Sequence, residues 1–280
     1  MKKNYGLNLK KEETDVSYKD WVFGASSLKC LAEIPVSERS KHLPVGELQN
    51  IGEEKMDCAS RSPLNILECK FNWLISHDKI SRKNINWLAD NGYLAETGAE
   101  LSDAFVAINS GTTLDGNSLK APLEAIRTKG LIPKMLLPQG NTFEEHHDPE
   151  RITPAMVKLG KEFIKRFKIN YEKVYEENYD MLIKNDLLDV AGYAWTNPLN
   201  GEYPRTDREP NHSFVIYKPK YFAFDNYIEP QDGDFIKKLA PDFNFVDYGY
   251  RIFISAENPS LGFFDRLLGF LKDIWKEIWA

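Results

Sequence analysis

Cys58, His212 and the adjacent pair Asp225-Asn226 are the residues of this sequence whose types and order could support nucleophilic chemistry. Cys58 stands in Met56-Asp57-Cys58-Ala59-Ser60, just before apolar residues recur at helical spacing in Leu64, Leu67, Phe71, Leu74 and Ile75. A thiol at a helix start meets unpaired backbone N–H groups and the positive end of the helix dipole, which stabilise a thiolate. A cysteine there also serves as a small half-buried apolar residue, so the reactive reading needs a base from elsewhere in the chain. Ser62-Pro63 offers a second helix start, with a capping hydroxyl and a first-turn proline, and would separate Cys58 from the dipole.

His212 is that base. It opens the apolar run His212-Ser213-Phe214-Val215-Ile216-Tyr217 after a polar loop, the pattern of a strand entrance. The next strand ends in Phe224-Asp225-Asn226-Tyr227, so a hairpin can bring Asp225 or Asn226 beside the imidazole, where an acceptor fixes its tautomer. The other histidines fit less well. His42 adjoins a proline loop, and His77 ends the Cys58 helix about 28 Å away at the helical rise. His146-His147, inside Glu-Glu-His-His-Asp, reads as a solvated acidic loop rather than a metal site.

A net charge of −6 and a pI near 5.5 argue against nucleic acid as a partner, since phosphate binding needs clustered Lys and Arg. The three cysteines, Cys30, Cys58 and Cys69, are too few and too odd for a disulfide scaffold and fit a reducing compartment. Neither CxxC nor HExxH occurs, so no metal site and no cofactor is expected. No apolar run reaches the roughly 18 residues of a membrane span, and the basic N-terminus lacks an apolar core, so the expected location is cytoplasmic.

The chain divides into four parts. Residues 1–50 read as an extended arm, with Ile34-Pro35 to Leu43-Pro44 irregular. Residues 51–138 carry successive helical patterns, including 80–95, 101–108 and 119–129, and hold Cys58. Residues 139–258 turn to strands and hold His212 and Asp225. Residues 259–280 form a strongly amphipathic tail helix, with Phe263, Leu267, Phe270, Ile274 and Ile278 on one face. Helices first and strands second make an α+β chain. The tail suits a partner protein or a second copy better than a membrane, because its basic and acidic residues cancel.

Cys58 at a helix start, Leu101-Ser102-Asp103-Ala104-Phe105, Gly116-Asn117-Ser118, Gly130-Leu131-Ile132-Pro133, Asn211-His212-Ser213-Phe214-Val215, Phe224-Asp225-Asn226-Tyr227 and Tyr248-Gly249-Tyr250-Arg251 follow the order seen in papain-like cysteine peptidases of the C1-like type. The sequence resembles a divergent member of that family over residues 45–255. The resemblance implies a two-lobed fold, with a helical lobe, an antiparallel β-barrel-like lobe and a cleft between them. It implies Cys58 as nucleophile, His212 as base, Asp225 as orienting residue, with Asn226 its rival, and a peptide or protein substrate. The family's oxyanion glutamine is replaced by Gly52, leaving Gln49 as the nearest side-chain donor. Ala59 stands where the family carries a bulky aromatic. These departures motivate an alternative: a catalytically weak or inactive papain-like assembly protein, as in a phage particle, associating through its tail.

Overall fold

The computed structural model describes residues 5–11, 31–229 and 233–255. The tail 259–280, Cys30 and residues 1–4 and 12–30 of the N-terminal arm lie outside the described residues. Helix α1, Val36–His42, overturns the expectation of irregular chain between the two prolines. Proline constrains the residue before it, so Pro35 at the N-cap leaves the helix free to begin, and Pro44 acts only on Leu43, which is already extended. The fully buried Arg39 anchors this helix by donating to the carbonyls of Ile34, Ile183 and Tyr217.

Helix α2, Cys58–Ser76, begins at the cysteine and runs straight through Pro63, so the competing start at Ser62 is not used. Sixteen of its nineteen residues are buried, far more than its apolar stripe alone would cover. Much of its polar surface is buried against partners. Ser62 Oγ donates to Asp189 Oδ1 at 2.6 Å, Asn65 Nδ2 to Asn226 Oδ1 at 2.9 Å, and Glu68 Oε1 accepts from the Leu101 N–H at 2.7 Å. Lys70 Nζ lies 2.7 Å from Asp186 Oδ1 and donates to the Ile252 carbonyl at 2.6 Å. Replacing Lys70 with methionine keeps the packing but leaves Asp186 to Arg251 and the Leu187 N–H. We expect a loss of roughly 1.5–3 kcal/mol in denaturant unfolding, the usual worth of a hydrogen bond to a charged group, because Arg251 still compensates Asp186.

The helices continue as α3, Arg82–Asp90; α4, Asp103–Ser110; α5, Lys120–Lys129; α6, Phe143–His147; and α7, Pro154–Arg166, with a two-residue hairpin of β1, Leu94–Ala95, and β2, Gly98–Ala99, after α3. Their ends follow local chemistry: Ser102 and Thr153 accept backbone N–H groups at N-caps, and Gly111 closes α4 at φ 70.

The second half supplies β3, Lys168–Tyr175; a short α8, Tyr179–Leu182; and then β4, Leu188–Gly192; β5, His212–Lys218; β6, Phe222–Phe224; β7, Ile236–Lys238; and β8, Tyr248–Ser255. They form one antiparallel sheet in the order β3-β8-β4-β5-β6-β7. Residues of α2 and of the sheet share one apolar core, which includes Leu64, Phe71, Val215, Tyr217 and Ile252. The helix that begins with Cys58 is therefore packed against the strand that carries His212. No helix among the described residues is long and apolar enough to cross a membrane.

Candidate active site

The β5–β6 register explains how two residues thirteen apart meet. Val215 pairs with Phe224, and continuing that register sets His212 opposite Tyr227, two residues on from Asp225. Alternate residues of a strand share a face, so the imidazole, the carboxylate and the phenol all project to one side. His212 Nε2 lies 2.6 Å from Asp225 Oδ1, and the Tyr227 ring sits 5.2 Å from the imidazole. A carboxylate can only accept, so Nε2 carries the proton and Nδ1 presents a lone pair; Nδ1 is buried and makes no hydrogen bond. Asp225 Oδ2 is held in turn by the Trp195 indole N–H at 2.6 Å, and Oδ1 also accepts the Asn226 N–H.

Asn226 faces elsewhere. Its side chain donates to the Glu47 carbonyl and accepts from Asn65, so Asp225, not its rival, meets the ring.

Cys58 arrives from the helical side as the first residue of α2, and its Sγ accepts the backbone N–H of Ser213, the residue after the histidine, at 3.4 Å. No hydrogen bond joins the thiol to the imidazole. The dipole argument for a thiolate fails in this arrangement. Burial raises the Cys58 pKa well above the ordinary thiol range, and the charges of Asp57, Glu54 and Asp225 push in the same direction, against the Ser213 N–H alone.

Asp57 caps nothing; its carboxylate turns to Arg61 at 2.8 Å and His146 at 3.0 Å. Burial alone would raise its pKa, but Arg61 and His146 more than offset it and hold Asp57 below the usual carboxylate range. His146 is thus fully buried against Asp57 rather than in a solvated loop, because the Gly140 N–H donates to Nδ1 and leaves Nε2 to face the Asp57 carboxylate.

Residues 5–7 form a strap across the site. The Gly6 carbonyl accepts from Asn117 N, the Leu7 N–H donates to the Asn211 carbonyl, and the Asn8 N–H returns to Asn117. The strap thereby bridges the helical and strand sides. The Tyr5 ring lies 5.3 Å from the His212 ring and 4.8 Å, edge-on, from Tyr227. Gln49, fully buried, donates through Nε2 to the Tyr5 carbonyl at 2.9 Å and to Glu54 at 2.6 Å. With the strap in place Cys58 is 1% exposed and His212 is fully buried.

This architecture is matched by solved structures. Xylellain, a cysteine protease from Xylella fastidiosa, superposes with a TM-score of 0.55 over 91% of this chain and 96% of its own, at 12% identity. The chain has the papain-like fold. A structure from work on the mite allergens Blo t 1 and Der p 1 gives a TM-score of 0.52 at 11% identity, over 89% of this chain and 78% of the other. The cysteine protease and lectin-like domains of a surface layer associated protein of Clostridium difficile give 0.51 at 11%, over 86% and 55%. No protein-family model and no curated protein sequence matches the chain.

Within the papain-like fold, then, the structure brings together Cys58, His212, Asp225 and Gln49 and turns Asn226 away. Sequence reasoning carried Tyr227 only as the end of the Phe224–Tyr227 run and missed Trp195 and Tyr5, which no motif marks. Trp195 ends an apolar run and Tyr5 lies far upstream, so only the fold sets them on the His212–Asp225 pair.

Proposed function

We propose that this papain-like chain is a cysteine hydrolase acting on a peptide or related amide bond, and that it is latent while the strap is in place. The observation that carries the reading is the buried His212–Asp225 pair, which leaves Nδ1 unprotonated and unbonded on the residue next to the N–H that binds the Cys58 sulfur. Once the strap has left, the thiol proton passes to Nδ1 and the sulfur attacks the substrate carbonyl carbon; the C=O pair moves to oxygen, held by backbone N–H groups near Cys58 and by Gln49. Collapse breaks the C–N bond as Nδ1–H protonates the leaving amine. Water then attacks the thioester, giving its proton to Nδ1, and collapse of the second intermediate releases the acid and restores the thiol. Asp225 stays ionised throughout and steadies the imidazolium.

Incubating the chain, with and without residues 1–8, against a mixed peptide library tests this by mass spectrometry. Cleavage that disappears in Cys58→Ala is expected, and cleavage that survives that change, or none from either form, overturns it. A second reading rests on the raised Cys58 pKa and the absence of a thiol–imidazole hydrogen bond: the fold is retained as an assembly module without chemistry. A strap-free chain that cleaves nothing and alkylates slowly at Cys58 would favour that module.

A further inference from the structure

Away from the cleft, Glu38 and His42 stand one turn apart on α1, and His77 follows the last residue of α2. Glu38 Oε2 lies 3.0 Å from His77 Nε2 and 3.9 Å from His42 Nε2, and the three donor atoms lie within 4.8 Å of one another. We propose that Glu38, His42 and His77 bind a divalent transition metal of the zinc class, which clamps α1 to the end of the helix that begins with Cys58.

Three lines of chemistry carry this. The first is spacing: with metal–ligand bonds of about 2.0–2.2 Å, tetrahedral donors sit roughly 3.3 Å apart, and the observed separations bracket that value. Residues four apart on a helix share a face, so Glu38 and His42 are a ready pair of ligands. The second is tautomer. His77 Nδ1 lies 3.0 Å from the Trp73 carbonyl, which can only accept, so Nδ1 carries a proton and Nε2 is the ring nitrogen turned to the Glu38 carboxylate. At 3.0 Å the Nε2–carboxylate pair shares one positive charge, which a proton on Nε2 or a metal in its place supplies. The third is support. The Trp73 indole N–H fixes Glu38 Oε2 at 3.1 Å, and its ring stacks on His77 at 4.8 Å, so backbone and side-chain partners orient two of the three ligands, as they do in metal centres. His77 and Glu38 are partly exposed, which leaves a fourth position for water and a route for the ion.

The test uses the full chain, stripped with a chelator and titrated with zinc by calorimetry and with cobalt(II) by absorption. One zinc per chain is expected, with at least tenfold weaker binding in His42→Ala and His77→Ala, each checked for folding by circular dichroism. Cobalt should show the ligand-field bands of nitrogen and oxygen donors without a thiolate charge-transfer band. No binding, undiminished binding in the double variant, or a thiolate band would overturn the assignment. The cobalt spectrum of the unmodified chain is decisive even if a variant fails to fold.

Discussion

Removing residues 1–8 is expected to speed alkylation of Cys58 by iodoacetamide at neutral pH by about tenfold or more. Alkylation follows the thiolate fraction and access, and both are suppressed in the intact chain. Burial is the largest cause of the raised Cys58 pKa, so opening the site lowers it, and each unit of that fall multiplies the thiolate fraction about tenfold. In the intact chain the thiol stays protonated through the neutral range, and its alkylation should keep rising with pH well past 9. In the shortened chain the rise should level off earlier. A point change tests the same device without shortening the chain. Gly6 sits at φ +110, and a Cβ there would come 2.4 Å from the Met56 backbone, so Gly6→Ala should dislodge the strap. Peptide mapping of the labelled protein reads the site directly. Equal labelling of Cys58 in the intact, shortened and Gly6→Ala chains would show that the strap does not govern access.

Asp225→Ala should lower kcat/KM of the strap-free chain by roughly 10²–10⁴-fold, while Asp225→Asn should lose much less. The carboxylate accepts from His212, Trp195 and the Asn226 N–H. Alanine removes the acceptor that sets the tautomer, so Nδ1 can hold the proton and cease to be a base. An amide oxygen in the same place can still accept from Nε2–H and fix the ring, although without charge to steady the imidazolium. The alanine variant also orphans two buried donors, at about 1–3 kcal/mol each, so thermal melting must accompany the kinetics. Asp225→Ala and Asp225→Asn with equal activity would remove the carboxylate from the mechanism. Combined with His212→Ala, the loss should not multiply, since residues acting as one unit are strongly non-additive.

What could be read from the sequence was local. Apolar spacing marked α2 from Leu64 onward, Thr153-Pro154 and Gly111 marked helix ends, and the aromatic and branched runs around Phe214, Phe224 and Ile252 marked β5, β6 and β8. Strand alternation and a short hairpin were enough to bring the Asp225-Asn226 pair to His212, but not to choose between them. Two local rules misled. Prolines at 35 and 44 suggested irregular chain but bound a helix, and the helix dipole at Cys58 suggested a thiolate where burial and neighbouring carboxylates favour the thiol.

The rest depends on contacts between residues far apart in the chain, and these have no sequence period. Asp225 prevails over Asn226 because Asn65 on α2 and the Glu47 carbonyl claim the amide. His146 became buried because Asp57, nearly ninety positions earlier, needs a partner. Gln49 and Tyr5 meet at the cleft only because Asn117 and Asn211 hold the strap between the helices and the sheet. The sequence by itself determined which elements form and which residues could react. Tertiary packing decided which of them are paired, which are charged and whether the site is open, because burial and through-space partners set those free energies and the linear chain does not encode distance.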